Sequence, residues 1–177
     1  MHSAIAAPVL ETERLRLKCH RAEDLPAYAA LWAEETVTRF IGGKPLTEEE
    51  SWLRLLRQAG HWPLLGFGYW IVEEKSTGTL LGEAGLAEFR REIVPSIIGI
   101  PEAGWVFSPA VHGRGFAREA MEAILKWGAE HFADNTQTVC LIHPDNAVSL
   151  QLAARLGYKE ERQTIFRGQL TTVLKRD

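Results

Sequence analysis

The stretch between positions 103 and 121 contains the residues best suited to bind a charged ligand. Gly113 and Gly115 have no side chains, so the backbone around them is free to turn and to point several N–H groups at one spot. The helix expected to follow adds unpaired N–H groups and the positive end of its dipole. Arg114 and Arg118 lie beside these groups. The segment is a candidate diphosphate site, although a glycine turn that only connects a strand to a helix has the same pattern.

Two common nucleotide-binding patterns fit this loop poorly. The dinucleotide fingerprint GxGxxG requires a third glycine where this chain has Arg118, whose bulk is expected to block close packing of helix on strand. The pattern GxxxxGK followed by Ser or Thr is absent from the sequence. A nucleotide-binding oxidoreductase is therefore disfavoured.

Two acidic residues, Glu83 and Glu102, interrupt predicted strands that are otherwise apolar. A partly buried carboxylate has a raised pKa and can act as a general base, whereas a position on the solvent face of the strand is the alternative. The two cysteines, Cys19 and Cys140, form no CxxC pair and have no nearby pair of histidines, so we expect buried structural thiols and no metal.

Hydrophobic alternation predicts the strands that must position these groups. They are expected at Arg14–Lys18, Tyr69–Glu73, Thr79–Ala87, Ile97–Phe107, Thr138–His143, Tyr158–Phe166 and Gln169–Leu174. The second and third form a hairpin around the turn Lys75–Gly78, and the last two form a closing antiparallel pair. The charged stretch Glu88–Ser96 contains a proline and is expected to be a mobile loop beside the site.

Helical periodicity and capping residues predict the helices. The first follows the acidic pair Glu23–Asp24, and the second begins at a capping box of Thr47 and Glu50 and is expected to end at Gly60. Apolar residues at i, i+3, i+4 and i+7 predict a third, strong helix directly after the glycine loop. A last helix is expected over Ala147–Leu156, with Asn146 as its N-cap.

The composition describes one ordinary globular domain and excludes several classes of protein. The chain has 177 residues, 46% hydrophobic and 24% charged, with interspersed charges and a net charge of −3. A nucleic-acid surface needs clustered Lys and Arg, so we expect no nucleic-acid partner. The segment Met1–Pro8 lacks the basic and apolar regions of a signal peptide, and no apolar run approaches the roughly 20 residues of a membrane span. We expect a cytoplasmic protein without membrane association.

The loop His112-Gly-Arg-Gly-Phe-Ala117 resembles the pyrophosphate loop of the GNAT acetyltransferases, a Gln/Arg-x-x-Gly-x-Gly/Ala pattern, with Gly115 and Ala117 in the two small positions. His112 stands where Gln or Arg is more common. Three further motifs occur in the family's order along the chain, namely Leu81–Leu86, Glu102–Trp105, and Asn146-x-x-Ser149 followed by Leu156–Tyr158. The resemblance covers nearly the whole chain and is closest to the branch that includes the ribosomal-protein N-terminal alanine acetyltransferases.

This resemblance implies an α/β fold with a mostly antiparallel, splayed sheet of six to seven strands flanked by helices, in one domain over residues 1–177. It also implies acetyl-CoA as co-substrate, its pantetheine arm bound by the free backbone of Glu102–Phe107. Asn146 is expected to contact the arm from the far side of the cleft, and a plain helix N-cap is the alternative. The residues expected at the cofactor are Trp105, Val106, Phe107, His112, Gly113, Arg114, Gly115, Phe116, Ala117, Arg118, Asn146 and Ser149.

The implied chemistry is direct attack of a neutral amine on the thioester, which needs a base and benefits from a donor to the leaving thiolate. Glu102 matches the family's acidic position and is the favoured base, with Glu83 as the second candidate. Many members have a tyrosine acid seven residues after the motif asparagine, but that position here is Ala153. Ser149 matches a serine proposed as acid in the similar branch and is the remaining candidate.

The resemblance does not identify the acceptor. A protein N-terminus and a small-molecule amine both remain open, as do a monomer and a homodimer. The missing tyrosine also leaves a non-catalytic acyl-CoA-binding or sensor module as an alternative to an N-acetyltransferase.

Overall fold

The computed structural model describes residues 6–133 and 136–177, and most of the segment Met1–Pro8 lies outside them. Eight strands form one open sheet in the order β1-β2-β3-β4-β5-β6-β8-β7. The strands are β1 Leu10–Glu11, β2 Leu15–Lys18, β3 Tyr69–Glu74, β4 Leu80–Ala87, β5 Glu102–Phe107, β6 Thr138–Ile142, β7 Lys159–Phe166 and β8 Gln169–Arg176. The helices are α1 Leu25–Trp32, α2 Glu35–Thr38, α3 Glu48–Leu65, α4 Phe116–His131 and α5 Ala147–Arg155.

The sheet confirms the predicted fold class. Neighbouring strands are antiparallel except β5 and β6, which are parallel. The predicted β3–β4 hairpin and the closing β7–β8 pair are both present. The strand count exceeds the prediction by one because the two-residue β1 pairs with β2.

Helix α3 begins where the sequence predicts and ends later. The Thr47 hydroxyl accepts the Glu50 N–H, and the Glu50 carboxylate accepts the Thr47 N–H, so the predicted capping box is formed. The helix continues past Gly60 to Leu65, and Gly66, in the left-handed region at φ +77°, is its C-cap. Burial of Trp62, whose indole N–H donates to the Tyr69 carbonyl at 3.0 Å, explains why packing overrides the glycine.

The two faces of the sheet pack against different helices. On one side, which we call the α4 face, side chains such as Trp70 and Leu86 pack against Met121 and Ile124 of α4. On the other side, the α3 face, Ile71 and Val106 pack against a second cluster, whose buried members include Tyr28, Trp32 and Leu55. Because strand residues alternate between faces, each face has its own set of polar side chains.

The segment between β4 and β5 differs from its prediction. The expected strand Ile97–Phe107 is shorter and starts at Glu102, since Gly99 at φ +87° and Pro101 interrupt its first half. The stretch Glu88–Ser96, expected to be mobile, is attached to the rest of the protein at several points. Ile93 is buried against β6 and β8, and the Val94 carbonyl accepts the Thr164 hydroxyl at 3.1 Å.

Candidate functional site

The sheet opens between its two parallel strands. All six residues of β5 pair with β4, but on its other edge β5 meets β6 only at Glu102 and Val139. The adjoining hydrogen bond runs from the Val139 N–H to the Pro101 carbonyl at 3.0 Å. Beyond this point the strands diverge, as the resemblance implied, and no described strand pairs with that edge of β5. We call this gap the split; its unpaired main-chain groups need a partner.

The glycine loop lies at the end of β5 and leads into α4. Gly113 and Gly115 both have positive φ, +76° and +80°, which side-chain-bearing residues rarely adopt. Residues 112–115 are exposed, whereas Phe116 is buried and anchors the first turn of α4. Among the described residues, the N–H groups of Phe116 and Ala117 have no protein acceptor. The arrangement fits the diphosphate of acetyl-CoA because these donors and the helix dipole adjoin the exposed residues 112–115.

The predicted arginines, Arg114 and Arg118, are less available to an anion at the loop than the backbone N–H groups are. The Arg118 Nε donates to Glu122 at 2.7 Å, and an Arg114 terminal nitrogen is 3.5 Å from Glu74. Both guanidinium groups are more than half exposed, so an anion at the loop can recruit them only in competition with these carboxylates.

Arg14 contacts the glycine loop, although the sequence predicted only a place in a strand for it. Its Nη1 donates to the Arg114 carbonyl at 2.9 Å, and its Nε donates to Glu119 at 2.7 Å. The guanidinium also lies 4.3 Å from the centre of the Phe116 ring. Burial opposes ionisation of Glu119, but hydrogen bonds from Thr12 and Arg14 outweigh it and lower its pKa. One hundred residues separate Arg14 from Arg114, so no local spacing signals this contact.

Several predicted cofactor residues can contribute only main-chain groups. The side chains of Val106, Phe107 and Phe116 are buried in the core. The His112 Nε2 forms a hydrogen bond with the Phe107 carbonyl at 3.1 Å, so the ring joins the loop to the last residue of β5. His112 therefore shapes the loop, which accounts for a histidine in a position where Gln or Arg is more common.

Helix α5 contacts β5 through the predicted Ser149, and the predicted Asn146 caps the start of that helix. The Asn146 side-chain oxygen accepts the Ser149 N–H at 3.2 Å, which is the N-cap geometry that the sequence predicted. The Ser149 hydroxyl oxygen accepts the Trp105 indole N–H at 3.3 Å. An indole only donates, so the hydroxyl proton of Ser149 is free to point into the split. Both Asn146 and Ser149 are half-buried.

Glu102 lies on the α3 face at the apex of the split. Both of its carboxylate oxygens accept hydrogen bonds from Arg91, at 2.5 Å from Nε and 2.7 Å from Nη2. Its side chain is 8% exposed, and that of Arg91 is 23% exposed. The predicted base is thus present at the gap, but it is held in a bidentate ion pair that sequence reasoning did not identify.

Glu83 is fully buried on the same face, within a polar cluster. It accepts hydrogen bonds from Tyr28 at 2.9 Å and from Arg54 at 3.1 Å, and His20 Nε2 lies 3.0 Å away. Burial opposes its ionisation, but the Arg54 charge and the bonds from His20 and Tyr28 outweigh it and lower the pKa of Glu83 to about 2. Such a carboxylate is a weak base without access to substrate, so the geometry disfavours the catalytic role considered for Glu83.

The remaining predictions concern thiols, metals and membranes. Cys140 is buried, and burial raises the pKa of its thiol, as expected for a structural cysteine. Cys19, which was also expected to be buried, is only half-buried. Within residues 6–133 and 136–177, no group of three or more His, Cys, Asp or Glu side chains is arranged to hold a metal ion. None of the helices in those ranges is long and apolar enough to span a membrane.

The chain is similar in sequence to known proteins. The acetyltransferase (GNAT) domain family matches residues 14–159. The uncharacterized protein YkkB of Bacillus subtilis strain 168 is 29% identical over 155 residues, which are 84% of this chain and 83% of YkkB.

Solved structures share the same fold. A protein of Bordetella pertussis, whose description assigns it to the GNAT acetyltransferase family, is 33% identical with a TM-score of 0.85, over 97% of this chain and 100% of that one. The ribosomal-protein-S5-alanine acetyltransferase of Vibrio fischeri is 17% identical with a TM-score of 0.73, over 96% of each chain. Because the Vibrio fischeri protein is only 17% identical, its similarity concerns the fold alone.

Proposed function

The chain belongs to the GNAT acetyltransferase family, and from that premise we propose that it transfers the acetyl group of acetyl-CoA to a primary amine. The observation that carries the proposal is the continuity of the split in the sheet with the uncapped N–H groups at the start of α4. An extended thioester with a diphosphate at one end fits such a surface. The acceptor is the amine of a small molecule or of a protein N-terminus, and the active form is a monomer or a homodimer.

The chain's own residues divide the binding work between backbone and side chains. The loop from Gly113 to Arg118 would hold the diphosphate through main-chain N–H groups, since its arginines are paired with carboxylates. The free edge of β5 would pair with the amides of the pantetheine arm. The Asn146 side-chain nitrogen stays available to the arm, because only its oxygen is used in capping α5.

Acetyl-CoA supplies an activated acyl group, and the protein must manage two protons. The amine loses one proton as its nitrogen bonds to the acetyl carbon, and the sulfur takes one up as the carbon–sulfur bond breaks. We assign the first task to Glu102, acting through a water molecule because Arg91 occupies both of its oxygens. We assign the second to Ser149, whose hydroxyl proton is free at the split.

Two glycine substitutions test the binding step. Gly115→Glu adds a side chain and a negative charge where the diphosphate would lie, so it should weaken acetyl-CoA binding, measured by isothermal titration calorimetry, by roughly a hundredfold or more. Gly168→Glu is the matched control, because Gly168 also has positive φ, +76° against +80°, and open space around it, but lies in the β7–β8 turn.

Activity is then measured as thiol release with a panel of amines and peptides. Acceptor-dependent release by the wild type, retained in Gly168→Glu and lost in Gly115→Glu, is the expected result. Equal acetyl-CoA affinity in the two variants would contradict the binding site. Tight binding without turnover on any acceptor would favour the non-catalytic sensor instead.

A further inference from the structure

A tyrosine hydroxyl reaches the middle of β5 from two strands away. The sheet register aligns Tyr69 of β3 with Gly85 of β4, and Gly85 with Gly104 of β5. A Cβ on Gly85 would lie 2.7 Å from Tyr69 Cδ2, and a Cβ on Gly104 would lie 3.1 Å from Tyr69 Cζ and closer still to its hydroxyl oxygen. The ring therefore extends across two glycines and ends over β5 beside the split.

The Tyr69 hydroxyl is an unused donor at this position. Tyr69 is 5% exposed, yet its hydroxyl has no hydrogen-bond partner in residues 6–133 and 136–177. The unpartnered polar atoms that are sealed from solvent belong to other side chains, so this oxygen retains contact with solvent. A hydroxyl that is almost buried, unpaired and still in contact with solvent is arranged for a ligand.

The surroundings keep this hydroxyl protonated and fixed in place. Burial, followed by the negative charges of Glu102 and Glu83, raises the pKa of Tyr69. A tyrosine with a raised pKa donates a hydrogen bond without giving up its proton. Phe89 packs edge-on against the ring with centroids 5.9 Å apart, and Gly85 supports it from the sheet. The donor is thus rigid before any ligand binds, which is what electrostatic catalysis requires.

We propose that the Tyr69 hydroxyl donates a hydrogen bond to the acetyl carbonyl oxygen of the bound thioester. The proposal rests on the proposed function, because only a thioester in the split brings a carbonyl to Gly104. During attack by the amine, negative charge develops on that oxygen, and the donor stabilises it without transferring a proton. Tyr69 is then a catalytic residue in a position different from that of the absent tyrosine at Ala153. Proton transfer remains with Glu102 and Ser149.

The first test compares acetyl-CoA with free CoA as ligands of Tyr69→Phe. Loss of one hydrogen bond to the carbonyl should weaken acetyl-CoA binding about threefold to tenfold and leave the affinity for CoA, which has no acetyl group, unchanged. Tyr158→Phe is the matched control, because Tyr158 is equally buried and its hydroxyl is already paired with Thr138 at 2.8 Å. Equal loss of affinity for both ligands would overturn the proposal.

Turnover gives the second readout. Removing one preorganised donor to a developing oxyanion lowers kcat by about a hundredfold, so a drop of about tenfold or more is expected for Tyr69→Phe, with the KM for the acceptor unchanged. A rise in acceptor KM at constant kcat would instead make the hydroxyl an acceptor contact and overturn the proposal. A wild type that binds no acetyl-CoA would contradict the proposed function itself, which distinguishes the two failures.

The geometry is tested by a double-mutant cycle on the free energy of unfolding. Gly104→Ala should destabilise the wild type strongly, because the new methyl group collides with the Tyr69 hydroxyl. The same change should cost less in the Tyr69→Phe background, where the colliding oxygen is absent. Additive effects would show that the hydroxyl does not lie over Gly104 and would overturn the proposal even if the catalytic effect were found.

Discussion

Glu83 and Glu102 lie on the same face of the sheet but are stabilised differently. Glu83 is sealed in a cluster of donors from α1, α3 and the segment after β2, whereas Glu102 lies at the gap and is paired with one arginine. A carboxylate that must accept a proton during turnover has to be reachable by water or substrate. Glu102 meets this requirement better, and Glu83 serves to connect the helices to the sheet.

Substitution of Glu102 and Ser149 tests the proton-transfer roles that we assign to them. Glu102→Gln should lower kcat by about a hundredfold, with the acetyl-CoA affinity little changed. Ser149→Ala should lower kcat by about tenfold or more, and Ser149→Thr should restore part of it. The control is Glu88→Gln, a carboxylate of the neighbouring segment that accepts only main-chain N–H groups. A kcat in Glu102→Gln that matches the kcat of the Glu88→Gln control would argue against Glu102 as the base.

Glu83→Gln is expected to affect stability through its pKa. Because the folded-state pKa is about 2, below the ordinary value of 4.5, ionised Glu83 stabilises the fold above pH 4.5, and this stability is lost as the pH falls toward 2. The variant leaves Arg54 without its partner and should lose about 3 kcal/mol of unfolding free energy at pH 7. The unfolding free energy of the variant should also fall less on acidification than the unfolding free energy of the wild type.

Urea denaturation between pH 7 and pH 3 measures both effects. Glu130→Gln, at an exposed position near the end of α4, is the control and should change the unfolding free energy by less than about 0.5 kcal/mol. If Glu83→Gln were as stable as the wild type at pH 7, the buried cluster would have no structural role.

At the scale of elements, the decisive feature is the divergence of β5 from β6. A single register pair holds the strands together at Glu102, and α5 closes the far side through the hydrogen bond from Trp105 to Ser149. Unpaired strand edges inside a sheet are costly unless a ligand or water pairs them. Under the proposed function, the gap is the element that binds the pantetheine arm.

Hydrogen exchange tests this element directly. Saturating acetyl-CoA should slow exchange of the β5 amides in Ala103–Phe107 that face the split by about tenfold or more, since the arm would pair with them. The amides shared by β2 and β3 are the internal control and should be unaffected. Protection limited to the loop at Gly113–Gly115 would mean that the arm does not follow β5.

At the scale of the whole molecule, the proposed site draws on both faces of the sheet, and its Ser149 is bonded to Trp105 on the α4 face. The α4 face carries the glycine loop and the first turn of α4, while the α3 face carries Glu102 and the hydroxyl of Tyr69. The two faces meet where the sheet opens between β5 and β6. The net charge of −3 does not hinder an anionic cofactor, because the loop presents N–H groups supported by Arg14.

Local features of this protein were predictable from the sequence alone. The capping box at Thr47, the hairpin around Gly78 and the N-cap at Asn146 depend on residues within a few positions of one another. The geometry of the glycine loop is also local, because positive φ at Gly113 and Gly115 and the free N–H groups of a helix start require no distant contact.

Contacts between distant residues were decided only by the tertiary structure. Arg14 reaches the loop across 100 positions, and Glu83 gathers donors up to 63 positions away. The same holds for Tyr69. Its hydroxyl reaches β5 because the register of β3, β4 and β5 places Gly85 and Gly104, which have no side chains, beneath the ring. Sequence patterns report periodicity and capping, whereas the charge state and accessibility of a side chain depend on which strands and helices pack around it.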